Sequence, residues 1–193
     1  MAHPSSTELL VLHAVRLKGH ADTGAVAARF GLDPQDTHEH LLDAQAYGWV
    51  TRSSFADLTG WSLTSAGRQR NADQLRDELD GVAARAAVAA VHEEFLPVNA
   101  EAARVFTAWQ LGQVPAHGDV HEQLGGIAAG LGRLEPRLTA HLARFAGYHD
   151  RFTGALDRAA GDPVWITGME VDSCHRVWFE LHEDLVATLD VPR

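Results

Sequence analysis

Two histidines, His175 and His182, sit in the segment SCHRVWFELHEDLVATL, which reads as one helix. Imidazoles suit acid–base work or metal binding. Seven residues is two turns, about 10.5 Å along the axis, too far for both rings to reach one ion. Helix-borne zinc sites use i,i+3 or i,i+4 spacing. His117 and His121 have that spacing, but Gly118 lies between them beside a predicted loop. No metal site is expected, and no cofactor. Cys174, the single cysteine, has no obvious base beside it. There is no G-x-S-x-G and no glycine-rich phosphate loop after a strand, so no catalytic residues stand out. The aromatic residues offer another chemistry. Asn99, Phe106, Trp109, His175, Trp178 and His182 combine ring faces with a few polar groups, a set suited to a small aromatic or apolar ligand. The competing reading makes the rings ordinary core and the histidines satisfied within it.

These side chains need helices to hold them. Cys174, Val177, Trp178, Leu181 and Leu185 form one stripe of the last helix, and His175, Phe179, His182 and Val186 the next. The apolar arc exceeds half the circumference, too wide for one neighbour, so a dimer interface or pocket wall is expected. Arg176, Glu180, Glu183 and Ala187 fall outside the arc, with Arg176 and Glu180 read as a surface pair. Upstream, a long helix is expected from Ser65 to about Glu94, its alanine-rich middle suited to close packing. Pro97 interrupts and Asn99 caps the next helix. Residues 112–118 and 161–172 read as loops, and the helices between Val120 and Ala160 should break near Gly132 and Gly147.

The first 70 residues read differently. Thr7 to Lys18 is apolar almost all round and predicts a buried helix. Thr23 caps a second helix that stops at Gly31, and Asp33-Pro34 opens a third that ends at Gly48. Two strands, 49–53 and 61–64, follow around a glycine-containing loop. Helices followed by a two-stranded ribbon describe a winged helix-turn-helix. The run Trp61-Ser62-Leu63-Thr64-Ser65-Ala66-Gly67 closely resembles the wing strand and helix start of MarR-type regulators, in which aromatic-x-Leu-Thr-x-x-Gly ends the wing. The likeness covers roughly residues 5–70. Looser likeness at Phe95-Leu-Pro-Val-Asn99, Trp109-Gln110 and Trp178 to Leu185 points to an actinobacterial subgroup with an enlarged helical C-terminal half. The expected fold is therefore mainly α: a winged helix-turn-helix over 1–70 with a two-stranded wing, then a helical dimerisation and ligand-binding bundle over 71–193. The resemblance implies a homodimeric regulator, a repressor whose helical-half ligand changes the spacing of two DNA heads. Duplex DNA would meet Thr37, His40, Arg52 and Arg68, with Arg29 supporting a phosphate.

Charge opposes part of that expectation. Net charge is −10, and residues 1–70 hold six basic and seven acidic side chains. An acidic second half repels nucleic acid, so DNA contact must come from the first 70 residues. Leu41, Leu42, Gln45 and Trp49 centre the buried side of the third helix; the opposite side shows Asp36, Thr37, His40, Asp43, Ala44 and Tyr47, without Arg or Lys. His38 then falls on the apolar side as a core histidine. The wing tip, Ala56-Asp57-Leu58, also lacks the arginine usual in such wings. Two further readings follow: a repurposed winged helix whose helical half binds, sequesters or transforms a metabolite, and an interaction module whose apolar arc is an interface. One cysteine fits a reducing cytoplasm. No export signal is read at the start, and no apolar run approaches the ~20 residues of a membrane span. Fifteen arginines against one lysine suit a GC-rich genome.

Overall fold

The apolar helix at the start forms as read. α1 (Thr7–Lys18) is capped by Ser6, whose hydroxyl accepts from Leu9 N–H at 3.3 Å. α2 (Thr23–Phe30) is capped by Asp22 rather than Thr23, because the Asp22 carboxylate takes the Ala25 N–H at 2.8 Å. Thr23 is thereby left to accept from the indole N–H of Trp61 at 3.0 Å. α3 (Pro34–Ala46) has Asp33 as cap and proline at its start. β1 (Val50–Phe55) pairs antiparallel with β2 (Leu58–Leu63), with Val50 opposite Leu63 and Arg52 opposite Trp61. Three helices followed by this ribbon are compatible with a winged helix. In the computed structural model, residues 2–55, 58–113 and 117–191 are described; the wing tip at Ala56 and Asp57 lies outside them.

Thr64, Gly67 and Trp49 lock the ribbon to the helix that follows. The Thr64 hydroxyl accepts from Gly67 N–H at 3.0 Å and donates to the Gly48 carbonyl at 2.7 Å, opening α4 (Ser65–Gly81). A Cβ on Gly67 would lie 1.9 Å from the Trp49 carbonyl oxygen, a clash no rotamer relieves. The aromatic-x-Leu-Thr-x-x-Gly run thus has a local reason: cap, strand end and close backbone approach. Val11, Leu12, Val15, Val26, Leu41, Val50 and Trp61 form the core of this part. Leu9, Leu75 and Ala187 make a second cluster. The compact unit they belong to spans His3–Ala83 and Val186–Arg193, so it runs past Arg70 to include all of α4.

The long helix expected from Ser65 breaks at Ala83, whose φ of 51° is left-handed. α5 (Arg85–Gln110) then continues through Pro97 and Asn99, which neither end nor cap a helix. Pro97 and Glu93 are both exposed, so the carbonyl that the proline leaves unbonded faces the solvent side. α6 (His117–Thr139) likewise runs through Gly132. A Cβ there would sit 3.1 Å from the His149 ring, and one on Gly130 3.3 Å from Val98. These glycines let neighbouring helices approach; they do not end α6. A 3-10 turn at Ala143–Phe145 and Gly147 (φ 89°) lead into α7 (Tyr148–Ala159). A short α8 (Val164–Thr167) lies where only a loop was expected, and α9 (Cys174–Leu189) is the final helix. α5 packs on α6, α6 on α7 and α7 on α8. The second compact unit is built on Ala84–Leu185. Among the described residues no helix is long and apolar enough to cross a membrane.

Candidate nucleic-acid interface and helical-unit site

The outer face of α3 comes from its register. Thr37, Leu41 and Ala44 are its buried residues, a stripe at i, i+4 and i+7. The axis is turned by roughly 90°, about one residue, from the face read off Leu41, Leu42, Gln45 and Trp49. Leu42 is 45% exposed, and Gln45 is also exposed. Thr37 can be buried because its hydroxyl donates to the Asp33 carbonyl at 2.7 Å. The exposed face therefore shows Asp36, Glu39 and Asp43, with Leu42 and Tyr47, and no cation. It is more acidic than the sequence projection, which left out Glu39. His38 is half-buried, its ring edge-on to Trp61 at 6.2 Å.

The five residues expected to meet DNA divide accordingly. Thr37 is fully buried, and Arg29 is buried with its guanidinium 4.4 Å from the Phe30 ring. Neither lies on an outer surface. His40 is half-buried. Arg52 is exposed on β1, 5.5 Å from the Trp61 ring, and Arg68 is exposed in the first turn of α4. Arg70, nearby in sequence, is held by Glu8 at 2.7 Å.

In the helical unit, α5 and α9 run antiparallel and bring most of the expected ligand set together. Trp178 donates to the Asn99 side-chain oxygen at 2.8 Å, stacks on Phe95 at 5.1 Å and meets Phe152 edge-on at 5.9 Å. His182 lies 5.9 Å from Phe95, and His175 lies 4.9 Å from Phe106. Trp109 is half-buried in the last turn of α5. His175 Nδ1 is buried without a hydrogen-bond partner among the described residues. Burial lowers its pKa below the ordinary 6.5, which keeps the ring neutral and able to accept or donate one proton. Cys174 is the opposite of a nucleophile: burial pushes its thiol up to about 12. Among the described residues no group of three or more His, Cys, Asp or Glu side chains is placed to hold a metal ion.

No family model, curated protein or solved structure matches this chain.

Sequence reasoning missed a buried ionic network on α9. Glu180, Glu183 and Asp184 are buried, although the two glutamates were expected on the outside, while Phe179 is 54% exposed. Arg144 pairs with Asp184, both side chains fully buried, and the Tyr148 hydroxyl donates to Asp184 at 2.9 Å. Arg151 bridges Glu180 at 2.8 Å and Asp172 at 2.9 Å. Burial works to lower the pKa of Arg151, but Glu180 and Asp172 outweigh it and raise it above the ordinary guanidinium value. Arg176 donates to the Met169 carbonyl, so it is not the expected partner of Glu180. The missed signal was the breadth of the apolar arc: a helix covered on most sides must bury its charges as well.

Proposed function

We propose that this chain is a homodimeric, ligand-responsive transcriptional regulator of MarR-like type. The N-terminal unit is its winged helix-turn-helix. The helical unit holds a small aromatic or apolar ligand between α5 and α9, against Asn99, Phe106, Trp109, His175, Trp178 and His182. The observation that carries this reading is the junction of ribbon and α4, where Thr64 caps the helix and Gly67 meets the Trp49 carbonyl within a three-helix-and-ribbon order. DNA contact falls to Arg52 and Arg68, with His40 of α3 as a further contact. The buried Thr37 and Arg29 are not part of it, and phosphates repel the Asp36–Glu39–Asp43 face of α3.

That acidic face supports a second reading, in which the winged helix has lost DNA and the helical unit binds, sequesters or transforms a metabolite with His175 or His182. Fluorescence anisotropy against a random duplex library, at low and moderate salt, separates the two. Selective, salt-sensitive binding that disappears in an Arg52→Ala/Arg68→Ala variant is the expected result. Absence of binding at low salt would overturn the regulator and leave the second reading.

A further inference from the structure

One side of α5 is buried and the other is open. Val91, Phe95, Ala102, Val105 and Phe106 are covered, while Glu93, Leu96, Ala100, Ala103 and Thr107 are exposed. The exposed five recur at alternating spacings of three and four residues, the period of a helix that packs lengthwise on another helix. α9 extends the same face. Its contacts to α5, Trp178 to Asn99, His182 to Phe95 and His175 to Phe106, run antiparallel. Helical periodicity then puts Phe179 on the same open flank as Leu96 and Ala103. Phe179 is 54% exposed and Leu96 40%, two large apolar side chains that this acidic chain leaves in water. Because it follows Trp178, Phe179 stands roughly level with Asn99.

The spacing within this face fits a second copy of the chain. Leu96 and Ala103 are one heptad apart. An antiparallel two-fold that crosses α5 between Asn99 and Ala100 sets Leu96 of each copy on Ala103 of the other, a large side chain against a small one. The same axis brings Glu93 within ~3 Å, measured along the helix, of Arg104 from the second copy and on the same edge of the seam. Both side chains are exposed, and Glu101 lies 3.7 Å from the Arg104 guanidinium. A parallel pairing would instead oppose Glu93 to Glu93 and leave alanine facing alanine. The axis drawn from Leu96 and Ala103 also passes at the level of Phe179, so the two phenyl rings meet on the other edge. Shape, charge and the exposed ring therefore select one register.

We propose that the open α5–α9 face is the self-association surface of this chain. The seam is antiparallel α5 on α5, with its two-fold at Asn99–Ala100 and the paired Phe179 rings closing one edge. The inference rests on the homodimer of the reading above and gives that dimer its interface. Asn99, His175 and His182 are half-buried at the border of this face, so the second copy covers the open side of the proposed ligand set.

Sedimentation velocity of the full chain across micromolar concentrations tests this. A species of twice the 20.9 kDa chain mass is expected. Leu96→Asp and Phe179→Asp, at exposed positions, should each weaken self-association about tenfold or more with an unchanged circular dichroism spectrum. Each puts a carboxylate into the apolar part of the seam. Glu93→Arg should weaken it about threefold, and Glu93→Arg/Arg104→Glu should restore it. A monomer at every concentration would overturn both the seam and the homodimer. A dimer indifferent to Leu96→Asp and Phe179→Asp, or a charge exchange that restores nothing, would overturn the seam alone and leave the homodimeric regulator standing.

Discussion

Asp184 and Arg144 show how burial changes the meaning of a charged residue. Both side chains are fully covered, and Tyr148 completes the carboxylate's hydrogen bonding. Removing one partner strips a fully buried charge of this pairing, which costs about 3–5 kcal/mol. Asp184→Asn should therefore lower the urea midpoint sharply. A joint Arg144→Met/Asp184→Leu change should recover much of that loss, because two apolar side chains need no solvation. His175 contributes differently. Its pKa is depressed in the folded chain, so the unfolded chain binds more protons as the pH drops below 6.5. Stability from this residue is present above pH 6.5 and is lost as the pH falls through the folded value. Denaturant midpoints measured across that range should flatten in His175→Gln.

Among the elements, the ribbon and α4 are joined by a contact that tolerates one residue type. Gly67→Ala places a methyl group against the Trp49 carbonyl, and backbone cannot yield as a side-chain tip can. A loss of about 3 kcal/mol is expected, at the upper end for overpacking, read as a shifted unfolding midpoint. Ala66, one position earlier, is exposed and meets no such limit. This junction was legible in sequence because cap, strand end and glycine are adjacent in the chain. The register of α3 was not. Counting Leu42 as core turned the predicted face, whereas Thr37 satisfies its hydroxyl locally and takes the buried place. Pro97 and Gly132 misled in the same way. Each is a helix breaker by local propensity, yet one lies where solvent meets the lost bond and the other where His149 packs closely.

Across the whole molecule, the net charge of −10 limits how DNA can be held. The two exposed arginines of the N-terminal unit among the described residues, Arg52 and Arg68, give four cations in the proposed homodimer. The slope of log affinity against log salt should then be about −4 or shallower. Anisotropy over a salt series measures it. A much steeper slope would require cations from elsewhere and would overturn the two-arginine contact.

The helices of the first 70 residues, the ribbon, the cap at Asp33, the Thr64–Gly67 junction and the final helix were all legible in the chain's own order, because caps, turns and periodicity act over a few residues. The ring-bearing and polar positions of α5 and α9 could be named from the chain, but that Asn99 and Phe95 meet Trp178 came only with the fold. Which faces are covered was settled by folding alone. Burial depends on neighbours distant in the chain: Arg151 turns Glu180 from an expected surface charge into core, and Arg144 and Tyr148 hold Asp184 there.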